Sequence, residues 1–195
     1  EFGLLFSIGG MDWFDSLNHA LTSMPTGGFS TYDGSIGSFE SHTVEIIIIL
    51  FMFIGGINFT LLWFIREGEF KKAWQDEEFK NYLVYVLTAF LFITIALLAT
   101  RDYTTTDSFI DSLFQVVSIG TSTGYTSTDY MTWPVATHLI LFVLMIVGAC
   151  AGSTSGGLKL LRINLAFKFA MRELVRIAQP RKVQTIRMND KVVGN

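Results

Sequence analysis

The 195-residue sequence is poor in what catalysts and secreted domains need. It has a single cysteine, Cys150, so no internal disulfide can form; that cysteine lies in an apolar segment and says nothing of redox compartment. Its three histidines, His19, His42 and His138, lack any spacing with cysteine or carboxylates that would build a transition-metal site. No carboxylates are paired for acid–base work, no nucleophile sits with a base, and there is no nucleic-acid motif. The chain is therefore not expected to be an enzyme, to carry a cofactor or to bind nucleic acid. Charge is scarce too. Only 16% of residues are charged and 50% are hydrophobic, with 18 Phe. A soluble domain of this length shows more charge and shorter apolar runs. No methionine opens the chain, and "EFGLLF" reads like the middle of a longer protein, so a fragment is expected.

What is present is long apolar sequence. Ile46–Ile65 and Asn81–Thr100 are each free of charge. At about 1.5 Å per residue each covers roughly 30 Å, the thickness of a bilayer core. A third run, Val135–Ala151, continues into "GSTSGGLKLLR" and is broken near its far end. Lys and Arg are absent from residues 1–45, and Arg101 stands alone in 101–133. Arg66, Lys71, Lys72 and Lys80 cluster after the first run, and the remaining basic residues lie in Lys159–Lys191. By the positive-inside rule the loop 66–80 and the tail are cytoplasmic. The outer segments carry Glu1, Asp12, Asp15, Asp33, Glu40, Glu45, Asp102, Asp107, Asp111 and Asp129. Such a mouth concentrates cations, although ordinary solvated loops account for the same charges.

The sequence repeats itself. "FDSLNHALTSMPTGGFSTYD" (Phe14–Asp33) aligns without a gap on "IDSLFQVVSIGTSTGYTSTD" (Ile110–Asp129) at an offset of 96 residues. Asp15, Ser16, Leu17, Gly28 and Asp33 meet Asp111, Ser112, Leu113, Gly124 and Asp129, and Thr22 meets Ser118. Internal repetition is frequent in membrane transport proteins. Each copy predicts a short helix, Asp12–Met24 and Asp107–Ile119, with acidic residues in the first turn and Pro25 or Gly120 as stop signals. At roughly 20 Å these helices cannot cross a bilayer and must re-enter. Non-helical backbone survives at that depth only beside protein or a water-filled cavity.

The stretches after the short helices, "TGGFS" and "STGYT", are small, neutral and rich in oxygen, with one aromatic each. A chain leaving the C-terminus of a half-membrane helix can aim successive carbonyls at one axis, where they replace the hydration shell of an alkali cation. Gly permits the backbone angles this needs. A flexible surface loop is the plain alternative. The fold class that follows is an all-α membrane protein of repeated helix–re-entrant loop–helix units.

The order of short helix, T-x-G-Y/F loop and spanning helix is similar to the pore unit of potassium channels. The stretches "WFDSLNHALTSMPTGGFSTYDGSIG", "GGINF" and above all "ACAGSTSGGLKLLR" resemble the Trk/Ktr/HKT potassium transporter family, of TrkH type, over practically the whole chain. The resemblance implies four such units around one pore. Here it covers the pore helix, filter loop and inner helix of the second unit (1–66), a cytoplasmic loop (67–80), the whole third unit (81–178) and a cytoplasmic linker (179–195). It also implies a filter formed by Thr26, Gly27, Gly28 and Phe29 with Ser122, Thr123, Gly124 and Tyr125. Thr26, Gly27, Ser122 and Thr123 would offer carbonyls to potassium, with Phe29 and Tyr125 behind the filter. Ser30 and Thr126 stand where a channel filter has its second glycine, so weaker discrimination is expected. A serine in place of a filter glycine favours sodium in some members, which keeps a sodium-permeable transporter as the alternative function. Potassium uptake across the inner or plasma membrane is the leading one, with lipid around the chain.

The broken third run, "GACAGSTSGGLK", is not a phosphate loop. Gly152 and Gly157 fit half of the motif, but Leu158 intervenes before Lys159, Leu160 replaces the hydroxyl residue and no strand precedes. One reading is a kink for close packing. The resemblance implies instead an intramembrane gating loop of Gly148, Gly152, Ser153, Thr154, Ser155, Gly156 and Gly157. After it, Ile163–Ala178 predicts a basic amphipathic helix with Lys168, Arg172 and Arg176 in one stripe, ended by Pro180. That stripe is a positive-inside flank, a headgroup contact or a docking face. The resemblance implies a homodimer and a cytoplasmic nucleotide-binding regulatory subunit, for which "REGEFKKAWQDEEFK" and "QPRKVQTIRMNDK" are the available surfaces.

Overall fold

The computed structural model describes residues 1–100, 105–178, 187–188 and 191–192. Arg101, Asp102, Pro180 and most of the 179–195 linker lie outside the described residues. The chain is helical: α1 Phe2–Ser7, α2 Trp13–Ser23, α3 His42–Gly55, α4 Phe59–Arg66, α5 Phe70–Gln75, α6 Glu77–Thr100, α7 Thr105–Gly120, α8 Val135–Val147 and α9 Leu160–Ala178. Short 3-10 turns at Ser35–Phe39 and Tyr130–Thr132 shape the outer loops, and Arg187–Met188 pairs antiparallel with Lys191–Val192.

The two predicted short helices form as α2 and α7. Asp12 caps α2, its carboxylate accepting the Phe14 N–H at 3.1 Å. The span expected at Asn81–Thr100 lies within α6, whose 24 residues make it long and apolar enough to cross a membrane. The expected span Ile46–Ile65 is corrected, whereas the third run breaks near its far end as expected. Ile46–Ile65 is not one straight helix: α3 and α4 meet at 104°. The bend falls at Gly55-Gly56, where side chains would run into the Met24 carbonyl and the Tyr82 hydroxyl, and Asn58 restarts the helix by accepting the Thr60 N–H. The third run stops at Val147, after 13 residues. Its basic continuation begins earlier than expected, at Leu160 rather than Ile163.

Helix α7 is the hub, packed against α3, α6 and α8. Its buried residues include Phe114, Val116 and Val117, but also Ser108, Ser112, Gln115 and Ser118. Small polar residues let helices approach and bond across a membrane interface; Ser112 Oγ meets Thr94 Oγ1 of α6 at 2.6 Å. Phe142 and Met145 of α8 line a cavity with Ser122, Gly124, Gly156 and Gly157, whereas on the opposite faces α6 exposes Val84, Leu87, Leu91 and Ile95, and α8 exposes Leu139 and Val143. Such surfaces suit hydrocarbon as solvent.

Candidate functional site: two filter loops above a broken helix

The 96-residue repeat is a repeat of backbone geometry. Positive φ occurs at Thr26 (55°) and Gly28 (69°), and again at Ser122 (59°) and Gly124 (87°). A left-handed threonine or serine is strained by roughly 1–2 kcal/mol, and here the same strain is built twice. The N–H groups of Gly27 and Gly28 both converge on the Thr22 carbonyl, at 2.7 and 3.1 Å. Those of Thr123 and Gly124 converge on Ser118 O, at 2.8 and 3.3 Å. Alternating backbone hands gather successive N–H groups on one side of a chain. In trans peptides the carbonyls then face the other way. Among the described residues, the carbonyls of Thr26, Gly27, Gly28, Ser122, Thr123 and Gly124 accept no hydrogen bond. The helix C-termini of α2 and α7 add negative partial charge below them.

The two loops are neighbours. A side chain at Gly28 would overlap the Thr123 carbonyl. Thr22 Oγ1 meets the Tyr125 hydroxyl at 2.5 Å, and that hydroxyl donates to Phe29 O at 3.2 Å. Tyr125 is fully buried, tilted against the His19 ring, and so buttresses the other unit's loop. Phe29, expected behind the filter like Tyr125, is instead 76% exposed. The reason is geometric: Tyr125 packs against α2 of the preceding unit, and no described residue of this chain covers Phe29 in that way. Within each unit the repeat continues. Thr22 Oγ1 donates to Phe29 O at 2.8 Å, and Ser118 Oγ to Tyr125 O at 2.7 Å. Asp15 accepts from Thr31 Oγ1 at 2.7 Å, and Asp111 from Ser127 Oγ at 3.2 Å. Asp15 also accepts from the Tyr32 hydroxyl, which raises that outer-loop phenol above its ordinary range.

Below the loops, residues 148–159 leave the helical path. Gly148 takes φ 71°, and a side chain there would run into the Gly156 carbonyl. The segment folds back so that Leu158 and Lys159 donate to Ile146 O and Val147 O, at 3.0 and 2.9 Å. Thr154 donates from its amide and its hydroxyl to Gly55 O, at 3.3 and 3.1 Å, and from its hydroxyl to Met24 O at 3.2 Å. The Cys150 amide donates to Gly56 O at 3.2 Å, and the Phe59 amide to Gly152 O at 3.1 Å. Ser153 and Ser155 share a hydroxyl contact at 2.9 Å, and Lys159 Nζ bonds the Ser155 carbonyl. Gly156 faces Ser122 of the filter loop. The two helix breaks are thus knitted to each other directly beneath the loops.

A family model described as cation transport protein, TrkH, matches residues 6–195. The chain belongs to the TrkH family. The TrkH-family chain is 37% identical over 188 residues to the Trk system potassium uptake protein TrkH of Halomonas elongata, covering 95% of itself and 39% of that protein. It is 38% identical over 187 residues to the protein of the same description from Vibrio parahaemolyticus, covering 94% of itself and 39% of the relative. Its fold matches the crystal structure of the potassium transporter TrkH from Vibrio parahaemolyticus with a TM-score of 0.88 and 38% identity, over 95% of this chain and 40% of that one. The chain therefore spans about two-fifths of the length of these relatives. It is an all-helical membrane protein of pore-loop units.

The structure brings the loops 26–29 and 122–125 and the segment 148–157 of this TrkH-family chain together, but sequence reasoning missed the residues that support them. Thr22 was invisible as a contact because it acts across units; His19 bonds within its own unit, to Asp15 O and Ser30 Oγ at 2.7 and 3.0 Å, and only its ring contact with Tyr125 crosses to the other. Asn58 carried a legible signal, a capping residue after a Gly-Gly break. Glu78 was hidden in the acidic run "DEEFK", where only its phase with Tyr82 and Val86 sets it on the buried face. The basic stripe is partly neutralised: Lys168 meets Glu77 at 2.8 Å, and Arg172 and Arg176 meet Glu173 at 3.2 and 3.5 Å.

Proposed function

We propose that this chain supplies two of the pore units of a potassium uptake protein of the inner or plasma membrane. Potassium sheds its water against the carbonyls of Thr26, Gly27, Gly28, Ser122, Thr123 and Gly124 and passes inward. The single observation that carries this is the doubled loop geometry, with unbonded carbonyls in adjacent, symmetry-like loops. Transfer of one charge across 100 mV releases about 2.3 kcal/mol, so uptake needs no chemistry on this chain. Residues 148–157 form the gate, supported by their place under Ser122 and by the positive-φ turn at Gly148, where only glycine fits. We infer further that the full protein is a homodimer and works with a cytoplasmic nucleotide-binding regulatory subunit. The word "system" in the relatives' names and the basic flank on α9 support this.

The test is rubidium and sodium flux of the full-length protein in liposomes. Gly28→Ser and Gly124→Ser each place a side chain at positive φ in the loop, and each is expected to cut rubidium flux at least tenfold while sodium flux persists. Unchanged rubidium flux in both variants overturns the filter reading.

A further inference from the structure

Helix α6 turns one face towards both helix breaks. Tyr82 donates to Phe53 O near the end of α3, at 3.3 Å, and Tyr85 to Leu144 O near the end of α8, at 3.2 Å. One turn nearer the cytoplasm, Glu78 accepts the Ala151 N–H at 2.5 Å. Glu78 is 3% exposed. The Leu161 amide in the first turn of α9 and the Asn58 side chain that caps α4 also face it. These three polar neighbours belong to three separate segments: the intramembrane loop, and the first turns of the two helices that resume after the breaks. Its neighbour Glu77 shows what an ordinary first-turn carboxylate does here, meeting Lys168 at a half-exposed site. Glu78 has no Lys or Arg in ion-pair range among the described residues. A buried carboxylate is costly unless donors satisfy it, so its placement holds those donors in turn.

We propose that Glu78 is the latch of the intramembrane loop, a positioning residue that holds residues 148–159 seated beneath the filter through Ala151, with Leu161 and Asn58 as the fixed points. It touches no ion. It acts by stabilising the occluding position of the loop, and its loss lets the loop leave the permeation path. This rests on the reading of the loop as a gate.

The experiment uses the full-length protein in liposomes without regulatory partner. Basal rubidium flux is measured beside maleimide labelling of Cys150, which is fully buried next to Ala151; Cys150→Ser provides the labelling blank. A hydrogen bond to a charged group is strong enough that Glu78→Ala is expected to raise both flux and labelling by about tenfold. Glu78→Gln keeps an acceptor oxygen and falls between. Replacing Ser153–Gly157 with alanines raises flux whatever Glu78 does. Wild-type flux and labelling in both Glu78 variants overturn the latch, and so does raised labelling without raised flux. If the alanine loop also leaves flux unchanged, the gate reading falls with it; if that loop leaks, the latch alone falls. Should Glu78→Ala yield no monodisperse protein, Glu78→Gln against wild type decides by the same two readouts.

Discussion

Thr22 and Tyr125 are separated by 103 residues and joined by one hydroxyl contact of 2.5 Å. That contact ties the pore helix of one unit to the filter aromatic of the next, and both hydroxyls also reach Phe29 O. The three groups form one network, so their deletions should not add. Thr22→Val and Tyr125→Phe are each expected to cost about 1 kcal/mol, with a coupling of about 0.5–3 kcal/mol in the double variant. Thermal unfolding of the four proteins in detergent measures this; strict additivity would show that the hydroxyls act apart. At this scale the repeat was legible because identical residue types return in register. The partner of each residue was not, because a repeat says which positions are equivalent and not which copies touch.

Among the elements, the broken helices decide the architecture. Apolar length alone reads Ile46–Ile65 as a span, and hydrophobicity has no term for a 104° bend. The Gly-Gly pair was visible, but two glycines cost only about 2 kcal/mol of helix propensity relative to alanine, too little to force a break. What holds it lies outside the helix: the Gly55 and Gly56 carbonyls freed by the break accept from Thr154 and from the Cys150 amide, while the Met24 carbonyl and the Tyr82 hydroxyl leave no room for a side chain at either position. Asn58 then makes the restart stable. Asn58→Ala is expected to destabilise the protein by about 0.5–2 kcal/mol through loss of the cap, and Asn58→Ser to restore most of it. A melting-temperature series reads this directly. Asn58→Asp is expected to do worse than Ser despite capping well, because its charge would face Glu78. By contrast α2 and α7 were legible in full, since a short apolar period with an acidic first turn and a Pro or Gly stop is a local signal.

The whole molecule has a polarity that both sequence and fold express. The acidic first turn of α7 lies towards the Thr100 end of α6, where Ser112 meets Thr94 and Phe109 meets Phe90; α5 and α9 lie at its Glu77 end, where Lys168 meets Glu77. Single cysteines placed at Glu40 and at Lys71 in a Cys150→Ser full-length background should label from opposite sides of the membrane in intact cells. Position 40 is expected to react with an impermeant maleimide applied outside, and position 71 only after permeabilisation. Labelling of both from outside would overturn the orientation. A side chain at Gly28 would meet the neighbouring loop, whereas one at Gly124 would meet no described atom within 4 Å. The relatives that this chain spans by about two-fifths have the length for further units.

Composition, charge placement and the 96-residue repeat were enough to establish a helical membrane protein with two short helix–loop units and a basic flank, which the positive-inside rule assigns to the cytoplasm. These are properties of local pattern: apolar length, positive-inside bias and residue types recurring at one spacing. Only the tertiary structure decided that the Tyr125 of one unit buttresses the other, that the Ile46–Ile65 run breaks as well as the third, and that Glu78 meets the loop between them. Such contacts join residues tens to more than a hundred positions apart, and nothing in the local sequence encodes which of many polar groups a folded backbone will bring within 3 Å.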